Sequence, residues 1–242
     1  MNVKLTKLMT FALSASIFNS HAIGIDSIIT VAENGKGTFT VSNNDGYRQF
    51  ITVGISDINI VKGQLESTPY TKENIADWTL EVRPARLIVN DGQHKKFSVR
   101  YTGTPNKSHD KIYQLTVAPS PYYEEGEKPL QSVQLAVGFA PYVIVPALED
   151  QPIQYDISYE KGRLKVHNKG DSYLHLTIDA CPDTLIGKER NACVKTSYAL
   201  SDRLLEVPIE PHLEEKLKLS LKTNNNKYKE QFTILPSQNK IK

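Results

Sequence analysis

The side chains of this chain that could do chemistry are two cysteines, six histidines and one short acidic run. Cys181 and Cys193 have no CxxC spacing and no second Cys/His pair at ligand distance, which leaves zinc the weaker partner for them. The histidines form no HExxH, no H-x-E beside paired cysteines, and there is no GxSxG elbow. His167 and His175 fall in expected strands and read as ordinary strand residues. Glu124, Glu125 and Glu127 cluster, but Pro121, Gly126 and Pro129 around them mark a mobile surface loop. A general acid/base pair needs burial to split its two pKa values. With no glycine-rich phosphate loop either, the chain reads as a non-enzyme without cofactor or metal, whose function rests on a surface.

The first residues read as a secretory leader. Lys4 and Lys7 supply charge, Leu8 to Phe18 the apolar core, and Ser20-His21-Ala22 a cleavage site, so the mature protein is expected to begin at Ile23. The apolar run is shorter than the roughly 20 residues a membrane-spanning helix needs, and no later run approaches that length. The leader carries two of the 29 basic residues and none of the 27 acidic ones, so the mature chain holds equal numbers of each sign. That balance argues against a nucleic-acid or anionic-membrane partner. Export also bears on the cysteines, because thiols in an oxidising compartment pair when geometry allows. A disulfide closing a loop of about 13 residues would contribute on the order of 3 kcal/mol by chain entropy.

The elements expected to carry a surface function are strands. From Ile25 onward, short segments rich in β-branched and aromatic residues recur between turn clusters, the pattern of all-β sandwiches. The first half offers Ser27 to Val31, Gly37 to Ser42, Gln49 to Ser56, Thr79 to Arg83, Ala85 to Val89, Lys96 to Thr102 and Lys111 to Ala118. Asn43-Asn44-Asp45-Gly46 and Asn90-Asp91-Gly92 are its turns. The second half offers Ile153 to Tyr159, Arg163 to His167, Tyr173 to Ala180, Leu204 to Pro208, Lys216 to Lys222 and Gln231 to Ile234. The acidic Ala147 to Pro152 stretch is the expected boundary, giving domains over 23–147 and 148–242 after a 1–22 leader.

Between the halves lies Leu130 to Pro146, LQSVQLAVGFAPYVIVP, uncharged and apolar over a length well above the usual strand of about 5 or 6 residues. Its first part alternates: Val133, Leu135, Val137 and Phe139 share one face, with Gln134, Ala136 and Gly138 on the other. Its second part is continuously apolar. A strand that outlasts its sheet partners offers an unpaired edge, which is a hazard unless something covers it.

Three stretches resemble the periplasmic chaperones of the chaperone/usher pilus pathway. They are Leu80-Glu81-Val82-Arg83-Pro84 with Leu87-Ile88-Val89, Gly92 and Phe97-Ser98-Val99-Arg100; Tyr113 to Val117 followed by a loop and Val133 to Val137; and the second-half hairpin with Cys181 and Cys193, similar to a disulfide of some branches. The resemblance implies two immunoglobulin-like β-sandwich domains in an L-shaped (boomerang) arrangement. It also implies that the chain lends a strand to an incomplete pilus subunit, with Val133, Leu135, Val137 and Phe139 filling the subunit's apolar groove. Subunits would then pass to an outer-membrane usher, all in the periplasm, and free protein could cap its strand by dimerising.

Well-known members of that family carry an arginine on the first strand and a lysine late in the donor strand, which hold the subunit's C-terminal carboxylate. Ile23 to Glu33 and Ser132 to Pro146 contain no basic residue, and Pro141 and Tyr142 stand about where the lysine is expected. The chain is thus similar to the divergent, alternate branch. Read without the resemblance, Val133, Leu135 and Val137 equally suit the first domain's own core. The competing expectation is an exported adhesin-like binding module using loop residues such as Tyr122 and Tyr123.

Overall fold

The computed structural model describes residues 22–127, 137–160, 162–210, 213 and 216–242. In chain order the first strands are β1 (Ile23–Ile25), β2 (Ile29–Val31), β3 (Lys36–Asn43), β4 (Gln49–Val61), β5 (Gln64–Pro69), β6 (Leu80–Arg83), β7 (Arg86–Val89), β8 (His94–Tyr101), β9 (Lys111–Pro121) and β10 (Tyr142–Val145). The later ones are β11 (Tyr155–Glu160), β12 (Arg163–Asn168), β13 (Leu174–Asp179), β14 (Val194–Ala199), β15 (Leu204–Pro208), β16 (Leu217–Lys222), β17 (Lys229–Ile234) and β18 (Gln238–Ile241). A sheet of order β1-β3-β8-β6 packs on one of order β2-β10-β9-β4-β5, where β7 also joins β4; β15-β12-β11-β18 packs on β14-β13-β16-β17. The all-β, two-domain sandwich expected from the sequence is therefore the fold. No helix among the described residues is long and apolar enough to cross a membrane.

Alternation builds both cores. In the first, Phe39 stacks on Phe97 at 5.2 Å between ring centroids, and Ile51, Leu115 and Val117 close over them from the facing sheet. In the second, Leu217, Leu219 and Leu221 point inward while Lys218, Ser220 and Lys222 point out, as the sequence alternation predicts. Each sandwich has the same polar plug at a turn. Asn43 and Asn168 are both fully buried. Asn43 donates through Nδ2 to Tyr47 O and Val89 O, each at 2.8 Å, while its Oδ1 accepts from Asp45 N. Asn168 likewise donates to Ser172 O and Ala199 O and accepts from Gly170 N. A short polar side chain thus satisfies backbone groups that the turns would otherwise bury unpaired.

Strands β1, β5, β14 and β18 add to the expected set. β5 is polar and mostly exposed, so it lacks the alternation that marks a half-buried strand; it forms because Lys62 and Gly63, at φ 52° and 77°, make a tight turn off the end of β4. β18 is exposed at every position; its ladder is to β11, and Lys240 Nζ lies 3.6 Å from the Phe232 ring centroid. The single long strand expected over 130–146 is not continuous: among the described residues its regular ladder is β10, with one further pair at Phe139 and Val117. Proline at 141 cannot donate, so only Leu115 N to Pro141 O, 2.8 Å, is made between the two.

The continuously apolar half of that segment has two buried faces. Val143 and Val145 enter the first core, whereas Ile144 joins Ile58, Ile112, Tyr173 and Leu200 in a cluster shared by both sandwiches. Polar links flank it. Asp110 accepts from Ala147 N at 2.8 Å and from Tyr173 N, while Asp150 accepts from the Thr223 hydroxyl and from Asn225 N and Lys227 N. Burial pushes the Asp110 carboxyl up to about 6 against the pull of its two N–H donors.

Cys181 and Cys193 form the expected disulfide, with sulfurs 2.04 Å apart. Its loop is also tied by Arg190 to Asp179 and by Lys216 and Lys218 to Asp183. The two lysines hold the Asp183 carboxyl down to about 2.

Two outcomes are expected. Because Asp110 binds its proton more tightly folded than unfolded, its contribution grows as pH falls from about 6 toward 4 and is lost as pH rises through 6. Thermal melts at pH 5 and pH 7 should show wild type gaining more on acidification than Asp110→Asn; equal gains would count against it. Replacing both cysteines by serine should lower stability by on the order of 3 kcal/mol in urea titrations, and an unmoved midpoint would refute the loop-entropy account.

Candidate functional site

The candidate site lies at the edge where the segment after residue 136 meets β9. Ten registered pairs join β9 to β4, from Gln49↔Pro121 to Ile58↔Ile112, so β9 is fixed along its whole length. On its other side, the N–H groups of odd-numbered residues reach the returning chain: Leu115 to Pro141 O and Val117 to Phe139 O, both 2.8 Å, with Phe139 N returning to Val117 O at 3.0 Å. β10 continues that register through Val143↔Tyr113 and Val145↔Lys111, and is closed on its far side by β2 running parallel to it.

Of the four residues expected to be donated, Val133 and Leu135 lie outside the described residues, as do residues 1–21, where a leader is expected. Phe139 packs against the first core. Val137 shares Phe139's parity, yet it stands outside any strand and is 57% exposed. Of the two described members of the row, Phe139 is packed on the protein's own core and Val137 is not.

The acidic run beside the site is a clamp. Arg48 forms ion pairs with Glu124 through Nη1 and with Glu127 through Nη2, and its guanidinium carbon sits 5.8 Å from the Tyr122 ring centroid. Glu127 also accepts from Glu124 N at 2.8 Å, and this backbone donor together with Arg48 holds its carboxyl below the usual range. Tyr122 N donates to Arg48 O at 3.0 Å. The turn after β9 is thereby tied to the turn before β4, which differs from the loose loop expected of this acidic run. Gly126 at φ 89° permits its tight return. A depression of about 490 Å³ beside it is lined by Tyr47, Arg48, Asp91, Tyr122, Tyr123 and Glu127. Arg48 escaped sequence reasoning because 76 residues separate it from Glu124, and only the β4–β9 register brings them together.

A second cavity, also of about 490 Å³, opens between the sandwiches beside Glu33, Tyr101, Leu148, Asn224 and Asn225. Among the described residues no lysine or arginine lines it. Arg203 of the second sandwich lies over the Tyr142 ring, 5.9 Å from its centroid. Arg83 and Arg100 share Glu81 instead. His167 and His175 sit on β12 and β13, and among the described residues no three His, Cys, Asp or Glu side chains gather to hold a metal. Trp78 is 40% exposed and stacks on Tyr70 at 5.0 Å.

Because both carboxylates of the clamp are exposed, its effect should be local. Arg48→Met is expected to speed exchange of the Glu124 amide while leaving the thermal midpoint nearly unmoved, because exposed ion pairs are screened by water. Unchanged amide exchange would show that the turn holds without it.

The family described as CS5 fimbrial protein N-terminal domain matches residues 25–146, which include β9, Phe139 and β10. An Escherichia coli relative, the uncharacterized 25.9 kDa protein in the CS5 3′ region, is 22% identical over 220 residues, covering 90% of this chain and 89% of that one. The class 5 fimbriae chaperone CfaA superposes with a TM-score of 0.51 at 14% identity, over 90% of this chain and 100% of that one. A chain of the Salmonella enterica complex of SafA pilin with the SafB chaperone gives 0.53 at 12% identity, over 89% and 97%. A chain of the CsuC–CsuE chaperone–tip subunit complex of Acinetobacter baumannii gives 0.51 at 12%, over 90% and 100%. These structures share this chain's two-domain sandwich fold. With its first sandwich matched almost end to end, the chain belongs to the CS5 fimbrial protein N-terminal domain family.

Proposed function

We propose that this protein is an exported, periplasmic chaperone that stabilises pilus or fimbrial subunits by donor-strand complementation and passes them to an outer-membrane usher. The observation that carries the reading is Val137, an apolar residue on the core-facing parity that has left the core and stands 57% exposed directly upstream of a fully registered strand. Val133, Leu135 and Val137 are the groove-filling side chains of this reading, and Phe139, held in the protein's own core, is the point from which the row is presented. Burying three such side chains is worth roughly 1.5–3 kcal/mol each at the upper limit, from which the cost of ordering the strand is subtracted. Main-chain hydrogen bonds to the subunit's sheet supply the rest.

The fold of the chaperones CfaA and of the SafA–SafB complex supports the partner class, and the leader over 1–22 supports the compartment. The domain limits in this reading are 23–147 for the strand-lending sandwich and 148–242 for the disulfide-bearing one. A free protein that dimerises would cover the same strand.

Periplasmic co-expression with the fimbrial subunits encoded beside it tests the reading. Wild type is expected to yield a soluble one-to-one complex that Leu135→Glu abolishes while circular dichroism remains unchanged, because a charge cannot enter an apolar groove unpaired. Normal binding by Leu135→Glu would make the strand ordinary core. Loss of binding on replacing Tyr122 and Tyr123 by alanine, with Leu135→Glu still active, would favour an adhesin-like loop site in the depression those tyrosines line.

A further inference from the structure

Asp110 stands just before β9, in the joint between the sandwiches, and its two carboxylate oxygens reach different parts of the chain. Oδ1 accepts from Ala147 N of the connector at 2.8 Å, and Oδ2 accepts from Tyr173 N of the second sandwich. Beside these bonds, Asp110 N donates to Asp171 O at 3.4 Å, and His109 Nε2 lies 3.0 Å from Asp171 Oδ1. One side chain thus joins the first sandwich, the connector and the second sandwich. The charges around it are mixed. Asp150 on the connector disfavours the ionised form of Asp110, and His109, when protonated, favours it. Lys111 is taken by Asp57 and Glu149 by Lys107, while the Tyr173 phenol donates to Asn224 Oδ1 and faces Glu33 of the turn after β2. Among the described residues, no lysine or arginine side chain pairs with Asp110. Ala147 and Glu33 also line the cavity of about 490 Å³ between the sandwiches, so the Asp110–Ala147 bond borders an open cleft.

We infer that Asp110 is a proton-operated latch on the joint: protonated, it holds residues 108–110, the connector and residues 171–173 together, and ionised, it lets this polar flank part so that the carboxylate reaches water. The physical cause is burial, the largest effect on the group, which raises its carboxyl to about 6 against about 3.9 for a carboxyl in water. The closed joint therefore binds the proton more tightly than the open one, so closure is fully favoured at low pH and weakens as pH rises through 6. With those two values the closing equilibrium falls roughly tenfold between pH 5 and pH 7. The neighbouring cluster of Ile58, Ile112, Ile144 and Leu200 carries no carboxylate or histidine, so it keeps the sandwiches joined while the polar flank opens.

The test is amide exchange in the full mature protein at pH 5 and pH 7, with protection corrected for the intrinsic rate at each pH. Ala147 and Tyr173, whose N–H groups end on Asp110, are expected to lose protection roughly tenfold at pH 7. At both pH values they are expected to stay less protected than Leu115, bonded to Pro141 O inside the first sandwich, because the latch opens without global unfolding. Asp110→Asn, with Asp110→Ser as a second variant should the amide disturb folding, is expected to abolish the difference between the two pH values, and His109→Gln to keep it. Equal protection at both pH values in wild type, or protection at Ala147 and Tyr173 matching that of Leu115, would overturn the inference. A pH response that survives in the Asp110 variants, or is lost in His109→Gln, would do the same.

Discussion

The structure depends on one ladder, the ten-pair register between β4 and β9. It buries Tyr113, Leu115 and Val117 in the first core and leaves one long edge of β9 available to a returning strand. Every other feature of the site is referred to that edge. The register of β10 against it decides which of the returning residues face the core and which face the second sandwich. The same ladder brings Arg48, just before β4, beside Glu124 and Glu127, just after β9. A one-residue slip would turn the apolar row to the opposite face and carry Ile144 out of the seam.

The seam between the sandwiches follows from that placement. Ile144 is fully buried among Ile58, Ile112, Tyr173 and Leu200, so the strand that continues from the candidate site is also a wall of the joint. Asp110 then ties the start of β9 to the connector at Ala147 and to Tyr173 of the second sandwich, and Asp150 ties the connector to the turn at 223–227. The half-buried Asp110 with its two N–H donors and the buried Asp150 with its hydroxyl and N–H donors make this junction specific in geometry, since leaving any of those groups unpaired in the seam would be costly.

Much of this was legible in the sequence because periodicity reports burial. The alternation in Val41, Phe97, Leu115 or Leu217 gave strands and inward faces correctly, the Asn-Asn-Asp-Gly and Asn-Asp-Gly runs marked turns, and export with two cysteines pointed to the bridge. What escaped had no local signal. β5 and β18 are exposed strands defined by their neighbours' hydrogen-bonding edges and not by their own side chains. The doubly buried β10 reads as a simple apolar run, since period-two reasoning assumes one wet face. The Arg48 clamp pairs residues that only the folded register brings together. The shared parity of Val137 and Phe139 was readable, but that Phe139 packs on the first core while Val137 stands exposed was not, because both residues look alike in the alternation.

Among the described residues the register of the returning chain is pinned by Phe139 on Val117, Tyr142 on Gln114 and Tyr142 on Ile29. Insertions or deletions upstream of residue 137 would therefore leave each of these pairs in register. Descendants of this fold can change the length of the chain before residue 137 while inheriting the core and the seam intact, so that variation there is separated from the part under selection for folding.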